Sequence, residues 1–196
     1  MSNIDIETLS HILEATQGKQ KSLLVGIDGC GGSGKSTLAS ALASALSQGT
    51  VVKMDDFYLP SMFRNDKEFI PEQIGSTFDW RRLKNQVLVP LSENRIARYQ
   101  RYDWDADSLV EWHAIPVGGI VIVEGVYSTR RELAAFYDFR IWVQCRRELR
   151  LARGIARDGV GARDKWEREW MPLEDNYVES HRPHVHADWV INGNIE

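Results

Sequence analysis

The chain has 196 residues, a length that one compact domain accommodates. Hydrophobic residues make up 43% and charged residues 27%, an ordinary globular balance that excludes a disordered or fibrous chain. With 24 Lys and Arg against 28 Asp and Glu, the net charge of -4 supplies no general basic field for nucleic acid or an anionic membrane, so any phosphate must be held locally.

No apolar run approaches the roughly 20 residues of a membrane span. The first residues, Met1 to Asp5, lack the basic flank and apolar core of a secretory signal. Two widely separated cysteines, Cys30 and Cys145, match no metal spacing and point to a reducing cytoplasm. The expected partner is a small molecule, with neither nucleic acid nor membrane; a monomer and a homo-oligomer are both compatible with the chain.

In chain order, Ile4, Leu9, Ile12 and Leu13 predict a leading helix over 4–16. Residues 22–28 read as a buried strand, 35–46 as an Ala/Leu-rich helix and 50–54 as a second strand. Asp79 is placed to cap a helix running through Leu83 and Val87 toward Pro90. Residues 98–104 and 109–115 alternate as a hairpin should, inside an insertion of about 93–117. Ile120 to Val123 is a continuous apolar run suited to a central parallel strand. Ser128 is expected to cap a short helix through Leu133. A strand over 139–145, helices over about 146–158 and 164–180, and a last strand over 188–191 complete the chain. Strands alternating with helices predict a three-layer α/β/α domain with a central parallel sheet. No linker divides it.

The strongest motif is Gly29-Cys30-Gly31-Gly32-Ser33-Gly34-Lys35-Ser36, a full match to G-x-x-x-x-G-K-[ST] between a predicted strand and a predicted helix. Glycines let successive N–H groups turn inward around phosphate oxygens, and the helix N-terminus adds partial positive charge. Gly29, Gly31, Gly32, Ser33, Gly34, Lys35, Ser36 and Thr37 are the candidate nucleotide ligands; Lys35 would reach the β- and γ-phosphates and Ser36 would ligate Mg²⁺. The match predicts a bound nucleoside triphosphate; ATP is the expected phosphate donor of a small-molecule kinase, with GTP open on the motif alone. A GTPase would need N-K-x-D, and Val52-Lys53-Met54-Asp55 lacks the Asn and comes too early.

Asp55 and Asp56 follow the second strand, at the sheet edge where open α/β folds bind ligands. A carboxylate there can accept a proton from a substrate hydroxyl or help hold Mg²⁺. Glu124, ending a buried strand, resembles an acid of the Walker-B type and is a third candidate metal ligand beside Ser36 and Asp55. Arg146, Arg150, Arg153 and Arg157 recur at three- and four-residue steps, so they predict one basic helical face over the phosphates, within a lid of about 146–164. Arg153 and Arg157 are the candidates for touching phosphate. His181, His184 and His186 have no accompanying acid or thiol at metal-binding spacing. Cys30, inside the phosphate loop, is a candidate oxidation-sensitive thiol.

These residues together resemble the uridine kinase and phosphoribulokinase-like family of P-loop small-molecule kinases, from about Leu24 to Asn192. Gly26 through Thr37 is similar to the family's first motif, and Asp55-Asp56-Phe57-Tyr58 to its D-x-F-Y segment. The resemblance implies Asp55 as catalytic base, Tyr58 as a substrate neighbour and Asp79 as a sugar contact. It also implies Tyr102-Asp103-Trp104 as the hairpin over the nucleobase, with Tyr102 and Trp104 facing the acceptor. Two positions depart from the pattern. Asp107 stands where the family's base-reading His falls, and Gly154 where a lid Arg is common. Kinase chemistry is therefore better supported than uridine as acceptor; another nucleoside, nicotinamide riboside, a sugar, pantothenate or a phosphopentose fits the same chemistry, and a nucleotide-dependent regulatory module is the alternative of another class.

Overall fold

The computed structural model describes residues 6–18, 21–64 and 74–194. Its elements run α1 (Ile6–Thr16), β1 (Leu23–Asp28), α2 (Lys35–Ala45), β2 (Gly49–Lys53), α3 (Ser61–Arg64), α4 (Trp80–Leu83), α5 (Val89–Ser92), β3 (Ala97–Asp103) and β4 (Ser108–Ile115). They continue with β5 (Ile120–Glu124), α6 (Arg131–Ala134), β6 (Phe139–Gln144), α7 (Arg147–Asp158), α8 (Arg163–Lys165), α9 (Met171–His181), α10 (Pro183–His186) and β7 (Trp189–Asn192). The first two residues of the expected leading helix lie outside the described residues.

Five parallel strands form one sheet in the order β2-β5-β1-β6-β7, and β3 pairs antiparallel with β4 as a separate hairpin. β1 and β5 are buried at every position, which is why both read as unbroken apolar runs. Successive side chains of β1 face opposite layers: Leu23, Val25 and Ile27 pack with Leu9, Leu13, Ala39 and Leu42 of α1 and α2. Leu24, with Val121 and Val123 of β5, packs on the other face among Val52, Phe57, Leu83 and Val87. The expected three-layer α/β/α architecture is thus present. All five parallel strands end on one edge, and the loops after β1, β2 and β5 meet there.

Three local expectations are corrected. The helix expected to stop near Pro90 runs to Ser92 through a π turn at Lys84–Leu88, and a second π turn at Trp166–Trp170 interrupts the expected 164–180 helix. Each is followed by a proline (Pro90, Pro172) at the second residue of the next α segment. A proline has no N–H for the i-4 carbonyl and its ring crowds that carbonyl, so widening the preceding turn by one residue relieves the clash. Ser128 caps no helix: its hydroxyl donates to the Ile27 carbonyl at 3.1 Å, while α6 begins after Arg130 without a side-chain cap.

Gly154, on α7, has a packing reason. A Cβ there would stand 2.4 Å from Cε2 and 2.5 Å from Cζ2 of Trp166, a ring only 2% exposed that also abuts Gly31. The missing side chain lets the Trp166–Trp170 turn close onto α7. Gly154→Ala is expected to destabilise the protein by about 1–3 kcal/mol, because overpacking a rigid ring outweighs the roughly 1 kcal/mol of helix propensity gained. Urea denaturation measures this; unchanged or raised stability would contradict the packing.

Candidate active site

The phosphate loop is built as its residues require. Gly32 has φ 74° and Gly34 φ 98°, and a Cβ on Gly32 would meet the Arg150 carbonyl oxygen at 2.5 Å. Gly34 starts α2 without a side-chain cap, and the first turn of α2 carries no acid, so its amide dipoles remain uncompensated. Ser33 N–H donates to the Cys30 carbonyl at 3.1 Å, and the buried Ser33 hydroxyl has no partner among the described residues. The loop presents a nest of donors with a cation, Lys35, at its head.

Two buried carboxylates that sequence reasoning missed brace this loop. Asp28, fully buried at the end of β1, accepts from Gly29 N–H at 2.7 Å, Thr129 N–H and Oγ1 at 2.9 Å each, and Tyr177 Oη at 2.6 Å. Burial pushes its carboxyl up, while the four donated bonds favour the charged form. Glu174 of α9 accepts the Gly31 N–H at 2.9 Å through one oxygen and Arg150 Nη1 at 3.2 Å through the other. Asp28 stood directly before the motif, a local signal; Glu174 lies 143 residues from Gly31 and gave none.

Beside the loop, Ser36 Oγ donates to Glu124 Oε2 at 3.0 Å. Glu124 is 5% exposed; burial raises its pKa, the charge of Lys35 lowers it and that of Asp55 raises it, so these groups share one electrostatic neighbourhood. A hydroxyl and an acid side by side at a strand end form an oxygen donor set suited to Mg²⁺, which keeps waters and phosphate oxygens as its other ligands. Among the described residues no cluster of three metal-binding His, Cys, Asp or Glu side chains exists.

The two adjacent aspartates part ways. Asp55 is exposed at this edge, whereas Asp56 is turned to the base of the hairpin: its carboxylate accepts from Tyr99 Oη at 3.0 Å and its carbonyl from Arg82 Nη2 at 2.8 Å. Burial pushes the Asp56 carboxyl up. The expectation that both acids lie free at this edge is corrected for Asp56, which is bonded to the hairpin, whereas Asp55 stays exposed and near enough to Glu124 for their charges to interact.

Residues 57–59 and 77–79 are joined by a Tyr58–Phe78 bridge and by hydrogen bonds from Leu59 N–H to Thr77 O and from Asp79 N–H to Phe57 O. This pairing brings Tyr58 and Asp79 beside the hairpin. The Tyr58 ring lies 4.4 Å from Trp104 and 5.5 Å from Tyr102, an aromatic wall with Trp104 56% exposed. Asp79 caps α4 as expected, accepting from Arg82 N–H at 2.9 Å. Asp107 sits at φ 45° with its carboxylate engaged by Ser61 N–H and Oγ, by Arg64 Nη2 at 3.1 Å and by Tyr102 Oη at 2.6 Å. Arg64 also lies 5.0 Å over the Tyr58 ring. The acid at the place of the base-reading His therefore latches α3 to the hairpin.

The basic stripe divides. Arg150 is 5% exposed and paired with Glu174, a structural position rather than one over the phosphates. Arg153 donates from Nη1 to Gly193 O at 2.8 Å and Gly32 O at 3.3 Å, which sets its charge on the loop. Arg157 pairs with Asp158, keeps its side chain 68% exposed, and lies near enough to Asp55 for the two charges to interact. Cys30 is buried, with its thiol pushed up to about 12 by desolvation and by Glu174, so the expectation of a reactive thiol is corrected: it stays protonated at neutral pH.

The Asp107 latch has a pH signature. Its hydrogen bonds hold the carboxyl at about 2, below the ordinary 3.8, so the contact is fully made above the ordinary value and is lost as pH falls through the lowered one. A carboxyl-carbon NMR titration of Asp107 is expected to give a midpoint near 2, with Ser61 and Tyr102 resonances moving in step; a midpoint near 4 would remove the latch.

Comparison with known proteins follows the same outline. The model of the Phosphoribulokinase / Uridine kinase family matches residues 24–164. A uridine kinase of Ureaplasma urealyticum is 22% identical over 87% of this chain and 88% of its own. A nicotinamide riboside kinase of Saccharomyces cerevisiae is 24% identical over 90% of this chain and 82% of its own. Among solved structures, a possible uridine kinase from Bacillus stearothermophilus superposes with a TM-score of 0.72, at 23% identity, over 95% of this chain and 96% of that one. The match spans the phosphate loop, the acid after β2, the hairpin, the β5 acid and α7, and on it the chain belongs to the Phosphoribulokinase / Uridine kinase family of P-loop kinases.

Proposed function

We propose that the protein transfers the γ-phosphate of ATP to a hydroxyl of a small molecule, a nucleoside before other alcohols. The observation that carries this reading is the meeting, at one sheet edge, of a phosphate loop, the Ser36–Glu124 pair and an exposed Asp55, with an aromatic wall alongside. A hydrolytic switch needs no such wall; an acceptor pocket does.

In this reading the loop amides from Gly29 to Thr37 and the Lys35 ammonium hold the polyphosphate of ATP. Ser36 and Glu124, with Asp55, would hold Mg²⁺, which when bound neutralises charge between the β- and γ-phosphates. Asp55 accepts the proton of the attacking hydroxyl as its oxygen closes on the γ-phosphorus in line with the departing ADP oxygen. Arg153 and Arg157 balance charge on the moving phosphoryl group. Tyr58, Tyr102 and Trp104 offer faces for a planar ring, and Asp79 a carboxylate for a sugar hydroxyl.

The acceptor is narrowed by what Asp107 cannot do. With its oxygens engaged by Ser61, Arg64 and Tyr102, it is no free reader of a pyrimidine edge. Ring recognition then falls on stacking, which a nicotinamide or another aromatic base satisfies as well as uracil. The relatives named uridine kinase and nicotinamide riboside kinase span that choice.

Asp55→Asn is expected to lower kcat by about 10²–10⁴-fold, as loss of a general base requires, with a much smaller loss of MgATP affinity because Ser36 and Glu124 still hold Mg²⁺. ADP release is measured against a panel of nucleosides, sugars and vitamins. Acceptor-stimulated release by wild type that Asp55→Asn retains would remove Asp55 from this role; no stimulation by any acceptor would favour the regulatory module.

A further inference from the structure

A cavity of about 640 Å³ opens at the C-terminal end of β6, between α7, α9 and α10. Asp55 and Glu124 lie beyond β2 and β5, on the other side of β1 in the sheet, so this cavity is separate from the acceptor wall. Its volume is within the range of small-molecule sites. Its inner surface is apolar, with Trp142 and Val178. Its charged lining consists of four arginines against two acids, and positive charge remains in excess even when Glu174, behind Arg150, is added.

Two buried side-chain nitrogens here are left unpaired. Arg150 is 5% exposed and bonded to Glu174 through Nη1, yet its Nε has no hydrogen-bond partner among the described residues. His184 Nδ1 is likewise buried without a partner. An unsatisfied buried donor is costly, and Arg150 Nε, a donor in every state of the side chain, calls for an acceptor that the protein does not itself supply; His184 Nδ1 adds a second donor to an anion in its Nδ1–H tautomer or as the imidazolium. Arg146 and Arg182 line the same cavity and form no ion pair among the described residues. Cys30 places the phosphate loop in one wall.

We infer that this cavity is a second ligand site, for a small organic anion: a phosphate or carboxylate held by Arg150, His184, Arg146 and Arg182, on an apolar body seated against Trp142 and Val178. Charge alone would take inorganic phosphate as readily, but the apolar inner surface favours an anion carrying a ring or chain. The site lies behind the phosphate loop rather than in it, so it accepts its ligand while the loop holds nucleotide.

The test is calorimetric titration of phenyl phosphate into full-length protein saturated with the non-hydrolysable analogue AMP-PNP and Mg²⁺, with inorganic phosphate in a parallel run. Saturable binding of phenyl phosphate is expected, tighter than inorganic phosphate and about tenfold weaker in the surface double variant Arg146→Gln/Arg182→Gln. Val178→Trp, which fills the cavity, is expected to abolish it; the surface variant keeps the test decisive if that protein does not fold. Three results would overturn the inference: no saturable heat, binding insensitive to the double variant, or competition by AMP-PNP, which would place the anion in the phosphate loop. Equal binding of inorganic phosphate would overturn the organic body.

Discussion

The Asp28 carboxylate is the interaction on which the geometry depends. It ends the central strand β1 with no solvent contact, and it gathers donors from the residue that opens the phosphate loop, from the loop after β5 and from α9. A buried carboxylate is tolerable only when its oxygens are satisfied, so the three segments are held in one arrangement or the charge is stranded. Glu174 repeats the device one turn away on α9, tying Gly31 and Arg150. The loop is therefore braced from behind by α9, and its glycines keep the phosphate-facing side free of side chains. Preorganised amides of this kind stabilise phosphoryl charge without reorganising during transfer.

On the side proposed for the acceptor, Asp55 and Asp56 are held differently. Asp56 is spent on Tyr99, which fastens the hairpin to the end of β2, and this leaves Asp55 exposed beside the phosphate loop. The hairpin then carries Tyr102 and Trp104 to Tyr58, and Asp107 closes α3 onto it. Each element of the pocket is placed by a polar contact to its neighbour rather than by the main core. The hairpin is separate from the five-stranded sheet, so these contacts do not involve the sheet's own pairing.

What could be read in the chain was what depends on near neighbours. The buried strands, the phosphate loop and the hairpin declare themselves through period, glycine and turn chemistry within a few residues, and the three-layer sheet follows from them. The arginine stripe shows where this fails: its spacing puts Arg150 and Arg153 one turn apart on α7, but only Glu174, 24 residues on, decides that Arg150 is buried, while Arg153 goes to the loop. Asp107 reads as a pocket acid until Ser61 and Arg64, more than 40 residues earlier, occupy it. The π turns before Pro90 and Pro172 were within reach, since a helical pattern that runs through a proline must widen or break.

The account rests on polyphosphate capture by the loop after β1. Calorimetric titration of MgATP into the protein and into Lys35→Ala tests it most directly: saturable binding at one site in the first, and a loss of about tenfold or more in the second, is the result this geometry requires. Absence of saturable binding to the intact protein, or equal affinity after removal of the Lys35 ammonium, would contradict it.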